Sequence, residues 1–143
     1  MAARNKPKSY QDWGVEVPAT IQKSPVWKAT AYRKALFLYD LVWEDCEILF
    51  KDVRGHTIAK QVIRSAGSIS ANMEEGYGHG LGPDYARILG IALGKARESQ
   101  GWYFRGRKLL PAKVLEHRLA LADEVIALLV TMIDQQRRRT VRN

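Results

Sequence analysis

With 143 residues, 46% of them hydrophobic and 27% charged, the chain has room for one domain with a core of its own. The lone cysteine, Cys46, excludes an internal disulfide, no run of about 20 apolar residues is present to cross a membrane, and the basic, polar start through Tyr10 lacks the apolar stretch of a secretory leader. These totals predict a soluble cytoplasmic protein, and the formal charge of +8 points to a polyanionic partner, nucleic acid before membrane, or to a surface charged only for solubility.

Residues 1–24, interrupted by Pro7 and Pro18 and bordered by Pro25, show no sustained period. They are expected to form an arm that Trp13, Val15, Val17 and Ile21 dock on its own or a neighbouring subunit. A first long helix starts at Ser24, a good N-cap, with Pro25 at the first helical position. Tyr32, Leu36, Tyr39, Trp43, Cys46 and Phe50 then recur at spacings of four and three, beside a second stripe of Ala31, Ala35, Leu38, Val42 and Leu49. Gly55 supplies the break.

A second helix is expected over Thr57 to Glu75, with Ile58, Val62, Ala66, Ile69 and Met73 as its apolar line. Its small-residue middle, Ser65 to Ala71, invites a neighbouring backbone to come close. The glycine-rich run Gly76 to Gly82 ends it, and Pro83 and Asp84 open a third helix that continues to Leu109 or Leu110. Gly90 and Gly94, one turn apart, suggest another close helix contact. After Pro111 a fourth helix carries Leu115, Leu119, Ala122, Ile126, Leu129 and Ile133, with a parallel stripe from Val114 to Met132. The pattern gives an all-α fold, an antiparallel up-down four-helix bundle over residues 25–136, followed by a basic tail at 137–143. The doubled stripes of the first and fourth helices fit either a thick core or contact with another copy of the chain.

No catalytic, cofactor or metal pattern emerges, and the protein is expected not to be an enzyme. Glu74 and Glu75 are adjacent on a helix and point about 100° apart, so they do not form a facing pair. The glycines from Gly76 to Gly82 lack the preceding strand and Gly-Lys-Ser/Thr ending of a phosphate loop. His56, His79 and His117 lie in different segments with no metal-ligand spacing, and Cys46 falls on an apolar stripe. Arg64, Ser68, Asn72 and Glu75 fall at i, i+4, i+8 and i+11, one polar stripe along the second helix. The stripe lines a polar groove or channel, or forms a hydrogen-bonded network inside the bundle.

The excess positive charge is concentrated: residues 83–110 carry +4, residues 1–24 and 111–143 carry +2 each, and the remainder is neutral. Arg97, Arg105, Arg107, Lys108 and Lys113, with Arg137, Arg138, Arg139 and Arg142 of the tail, are therefore the candidate nucleic-acid contacts. Cations near a helix C-terminus also complement its dipole, although three consecutive arginines exceed that need. Trp102, Tyr103 and Phe104 could offer stacking to single-stranded bases, while their place inside a helix argues that at least two are buried.

The run Val62-Ile63-Arg64-Ser65-Ala66-Gly67-Ser68-Ile69-Ser70-Ala71-Asn72-Met73-Glu74-Glu75-Gly76-Tyr77-Gly78 resembles the signature of the bacterial four-helix-bundle proteins first met inside ribosomal-RNA intervening sequences. Val26-Trp27-Lys28 and Ile91-Ala92-Leu93-Gly94 followed by Glu98 extend the resemblance over about residues 26 to 135. It implies an up-down bundle assembling as a homopentamer around a central channel, with no known catalytic activity. It adds Glu98 to the polar network, as a partner for Arg64. It also implies a likeness in fold to the accessory proteins of diversity-generating retroelements, which work with a reverse transcriptase and its RNA. Ser70 stands where the family usually has a proline, and the long N-terminal arm is a second departure. The expected function is an oligomeric scaffold that binds nucleic acid, RNA more than DNA, through phosphate. The alternative is a protein-interaction ring that assists an enzyme such as a reverse transcriptase.

Overall fold

The computed structural model describes residues 9–139, and every regular element among them is helical. Two short helices, α1 (Tyr10–Glu16) and α2 (Ala19–Gln22), precede a single 3-10 turn at Pro25–Lys28. Four long helices follow: α3 (Thr30–Leu49), α4 (Val53–Gly78), α5 (Pro83–Arg105) and α6 (Ala112–Arg138). Each long helix packs against the next, and α3 packs against α6, so the four enclose one core. No described helix is long and apolar enough to cross a membrane.

The arm is more ordered than its lack of period suggested. Ser9 caps α1 by accepting from the Asp12 amide at 3.1 Å. Trp13 anchors the segment: its ring stacks with Tyr10 and Trp27 and meets Phe37 of α3, and its indole N–H donates to Asp40 at 2.7 Å. Val17 is half-buried, but Val15 and Ile21 stay exposed, and Tyr10 adds an edge contact with Phe37 and accepts from Arg33 at 3.1 Å, so two aromatics rather than four apolar residues hold the arm.

Several boundaries move from their expected places. Pro25 occupies the 3-10 turn and Ser24 makes no side-chain cap; extended backbone at Ala29 separates that turn from α3. Gly55 does not break a helix but lies in the first turn of α4, which Asp52 opens by accepting from the Arg54 amide at 2.8 Å. Arg54 also pairs with the Asp52 side chain, which holds that carboxyl well below the usual range. A Cβ at Gly55 would lie 1.9 Å from the Leu49 carbonyl oxygen, so only glycine permits this tight passage from α3 to α4. At the far end of α4 the helix runs through Gly78, and the backbone reverses at Gly80 and Gly82, both at positive φ, before Pro83 starts α5. Helix α5 stops at Arg105, short of Leu109, because Gly106 tucks in beside Leu49 and Ile58. The α5–α6 turn thereby seats on the α3–α4 turn.

The core takes in most of the predicted stripes together with Phe37, Leu41, Ala59, Tyr85 and Ala86, which no stripe included. Ala59, Ala66, Ala92, Ala96 and Ala122 are fully buried, and such small side chains let α4, α5 and α6 approach closely. Gly90 and Gly94, by contrast, face open space, so they serve no close contact among the described residues. Of the doubled stripe on α3, Tyr32 and Cys46 are buried while Trp43 is 61% exposed and Phe50 46% exposed.

Among the described residues charge is buried at one place. The Arg118 guanidinium of α6 donates two bonds to Asp45 of α3, at 2.7 and 3.1 Å, and the Tyr103 hydroxyl of α5 donates to the same carboxylate at 2.6 Å. Asp45 and Arg118 are each 3% exposed. The remaining Arg118 nitrogen donates to His117 Nδ1 at 2.7 Å, which leaves the imidazole proton on Nε2. Burial, with the neighbouring guanidinium, lowers the His117 pKa and favours that neutral form. Helix α4 joins through Tyr32, which donates to Glu74 at 2.6 Å, and through the Ser65–Ser99 hydroxyl pair at 2.9 Å. Among the described residues no buried side-chain nitrogen or oxygen lacks a partner.

Two pairs of outcomes test this packing. Gly55→Ala should destabilise the protein by about 2–3 kcal/mol, because backbone must move, whereas Gly90→Ala, in open helix, should stabilise it by roughly 0.5–1 kcal/mol. Urea melts of the two variants against the parent give both signs. Burial, reinforced by Asp45, pushes the Cys46 thiol up to about 11 from an ordinary 9.0. A disulfide reagent at pH 8 should therefore leave the native thiol unreacted while the unfolded chain reacts at once. Because the folded thiol binds its proton more tightly than the unfolded one, stability should fall as pH rises from 9 towards 11. Raised phenol pKa values at Tyr32, Tyr85 and Tyr103, each caused first by burial, act in the same direction.

Candidate nucleic-acid interface

The core consumes the inward arc of α5, and what remains outside is basic. Arg97, Phe104 and Arg105 lie on its solvent face, Arg107 and Lys108 in the turn that follows, and Lys113 in the first turn of α6. The seating of Gly106 against Leu49 and Ile58 brings the α3–α4 turn, with Phe50, Lys51 and Arg54, to the same end of the molecule. Along residues 50–56 and 104–113 six cations (Lys51, Arg54, Arg105, Arg107, Lys108 and Lys113) face a single carboxylate, Asp52, which Arg54 already occupies. Glu47 and Glu116 flank these stretches one turn away, so six cations meet three carboxylates and the local potential is positive.

Two of these arginines are held by aromatic rings. The Arg105 guanidinium lies 4.8 Å from the centre of the Trp102 ring and that of Arg107 lies 4.3 Å from the Phe104 ring. Arg107 also donates to the Phe104 carbonyl at 3.1 Å. Stacked cations of this kind keep their outward N–H groups free for phosphate while losing less freedom on binding. The three consecutive aromatics divide as their helical directions require: Tyr103 is buried on Asp45, Trp102 is half-buried with its indole N–H on Glu98 at 3.1 Å, and Phe104 is exposed.

The tail arginines sit elsewhere. Helix α6 has 27 residues and so spans about 40 Å, which carries Arg137, Arg138 and Arg139 to the opposite end from Lys113. The Gly82 amide donating to Gln136 at 2.9 Å places that end beside the α4–α5 turn. Arg138 pairs with Asp134 at 2.8 Å, on the surface. Arg142 lies outside the described residues. The nine candidate cations therefore do not form one patch.

The polar stripe on α4 is not the buried network. Arg64 and Glu75 are exposed, Ser68 donates to the Arg64 carbonyl at 2.9 Å and Asn72 to the Ser68 carbonyl at 2.6 Å, so these bonds are local to one helix. Glu75 has His79 as its neighbour at 3.9 Å, and Glu98 meets Lys95 at 3.5 Å rather than Arg64. The buried ionic group is Asp45, Arg118 and Tyr103 instead. A sequence signal existed for it: Asp45 falls within the arc of Leu41, Val42 and Leu49, and Arg118 between Leu115, Leu121 and Ala122. Each apolar arc thus holds one ionisable residue, and the two are of opposite sign.

A cleft of about 340 Å³ opens between the arm and α3, lined by Trp13, Val17, Ile21, Tyr32, Asp40 and Glu74. Four of its polar groups bond in pairs, Tyr32 to Glu74 and Trp13 to Asp40. No group of three or more potential metal ligands is present among the described residues.

The family model for the 23S rRNA-intervening sequence protein matches residues 28–131, taking in most of all four long helices and leaving out α1 and α2. Among solved structures, the chain resembles a crystal structure from Bacteroides thetaiotaomicron described as a protein with unknown function from the S23 ribosomal protein family. The TM-score is 0.67 at 24% identity, over 73% of this chain and 98% of that one, a likeness of fold. No curated protein matches the chain. The chain belongs to the family of 23S rRNA-intervening sequence proteins.

Proposed function

We propose that the protein is a non-enzymatic scaffold that binds nucleic acid, RNA ahead of DNA, through phosphate contacts at the basic end where the α3–α4 and α5–α6 turns meet. The observation that carries this is the charge there: six cations against Asp52, already paired with Arg54, and the flanking Glu47 and Glu116. Arg105 and Arg107, preset by Trp102 and Phe104, suit phosphate oxygens with two donors each. No base-reading motif accompanies them, which favours contacts to backbone over sequence. The family's association by name with a ribosomal-RNA sequence favours RNA.

The same reading takes the four long helices as an up-down four-helix bundle and the working form as a homopentamer. Support for the first lies in the packing of each long helix on the next and of α3 on α6. Support for the second lies in the family resemblance and in apolar side chains left at the surface, Trp43, Ile91 and Val130, which another copy would cover. Repeating one weak basic end around a ring raises avidity when one strand reaches several subunits.

Anisotropy of a labelled structured RNA across a salt series tests the interface. The parent should bind more weakly as salt rises, and replacing Arg105, Arg107 and Lys108 together by alanine should cut affinity at least about tenfold and lower the salt slope by about 2. Alanine at Arg137, Arg138 and Arg139 should cost less, since those residues lie at the other end. No binding at low salt would overturn the nucleic-acid reading in favour of a protein-interaction ring.

A further inference from the structure

We propose that the basic end takes unpaired, single-stranded nucleic acid, with a base stacked on the exposed ring of Phe104, and a second available to Phe50, while the surrounding cations hold the flanking phosphates. This rests on the nucleic-acid reading above and narrows it to strands whose bases are free.

The argument starts from what the two rings do not do. Phe104 is 54% exposed and Phe50 46% exposed, on helix ends whose neighbours Tyr103 and Leu49 are fully packed. Leaving a phenyl ring half in water forgoes much of what full burial supplies, so neither ring is placed for the core. Each sits among cations: Phe104 beside Arg105, Arg107 and Lys108, Phe50 beside Lys51 and Arg54. A guanidinium already lies over Phe104, 4.3 Å from its centre, and the His56 ring lies 5.4 Å from that of Phe50. A cation thus already lies over one ring and a tilted imidazole beside the other, and a nucleobase is a larger planar group that can use the free face of each.

A duplex could use the cations but not the rings, because its bases are stacked on one another and its outer surface is phosphate and sugar. An unpaired base presents a free π-face and uses both. Charge alone does not call for exposed phenylalanines, and an exposed apolar pair alone does not call for six cations; single-stranded nucleic acid accounts for the two together. The missing hydrogen-bonding groups on the phenyl rings imply stacking without choice of base.

Anisotropy of 12-nucleotide oligo(U), oligo(dT) and a 12-base-pair RNA duplex, with parent protein and Phe104→Ala, Phe50→Ala and Phe104→Trp, tests the proposal. The parent should favour both single strands over the duplex. Phe104→Ala should weaken oligo(U) on the order of tenfold. Because Phe104 also holds Arg107, duplex affinity should fall too, but clearly less than oligo(U) affinity, and Phe104→Trp should restore binding and add fluorescence that the stacked base quenches. Equal affinity for oligo(U) and oligo(dT) assigns the site to single strands of either sugar, and preference for oligo(U) assigns it to RNA. Unchanged oligo(U) affinity in both alanine variants, or no quenching of the added indole fluorescence in Phe104→Trp on binding, overturns the stacking proposal while leaving the phosphate interface standing. Failure of all three ligands to bind overturns both.

Discussion

The structure depends on one buried carboxylate. Asp45 on α3 receives two bonds from Arg118 on α6 and one from Tyr103 on α5, so a single group ties three of the four long helices together. Taking two charges out of water costs several kcal/mol each, and the group persists only because the guanidinium meets the carboxylate in two places and its third nitrogen donates to His117. Apolar stripes tolerate a slip of one helix along another, because leucine on leucine is much the same one turn away. An ion pair does not. The Asp45 group therefore fixes register, and the apolar residues around it supply most of the stabilisation.

Register decides what reaches the surface. With Tyr103 held inward on Asp45, the next residue, Phe104, must point about 100° around the helix, into solvent, and Arg105 further still. Gly106 then ends α5 against Leu49 and Ile58, which seats Arg107 and Lys108 beside the α3–α4 turn. The basic end is thus a consequence of core geometry, and the positive charge is brought together by a contact that itself involves no charge. Helix α6, which starts at this end, takes Arg137 to Arg139 away from it, so these three arginines do not join the patch within one chain.

Long periodic segments were legible in the sequence because burial leaves its spacing in every turn: the apolar lines of α4 to α6 and the second line of α3 run into the core, while the first line of α3 ends in exposed Trp43 and Phe50. Boundaries were less so. Gly55 looks like a breaker because glycine usually is one, yet its role is steric, set by the Leu49 carbonyl lying six residues away in sequence and almost touching in space. Gly90 and Gly94 show the converse, a spacing that suggests close packing where nothing packs. Of the candidate cations, those at the end of α5 could be grouped from sequence because they are neighbours in the chain. Their separation from the tail, and their union with Lys51 and Arg54, depend on how the helices reverse and were not visible. The polar stripe on α4 misled because its four residues share a face, and a shared face does not say whether it turns inward. Asp45 and Arg118 were legible in principle, as one acid and one base on apolar arcs, but each is a single residue within a helix rich in other charges.

The claim that the Asp45–Arg118 pair sets the register is tested most directly by a double-mutant cycle, with Asp45→Ala, Arg118→Ala and the double variant compared by urea melts. Each single change strands a buried charge and should cost about 3–5 kcal/mol, while the double variant should cost clearly less than the sum, by at least about 2 kcal/mol. Losses below about 1 kcal/mol for each single variant, adding without coupling, would contradict the account and leave the apolar stripes alone as the source of the fold's register.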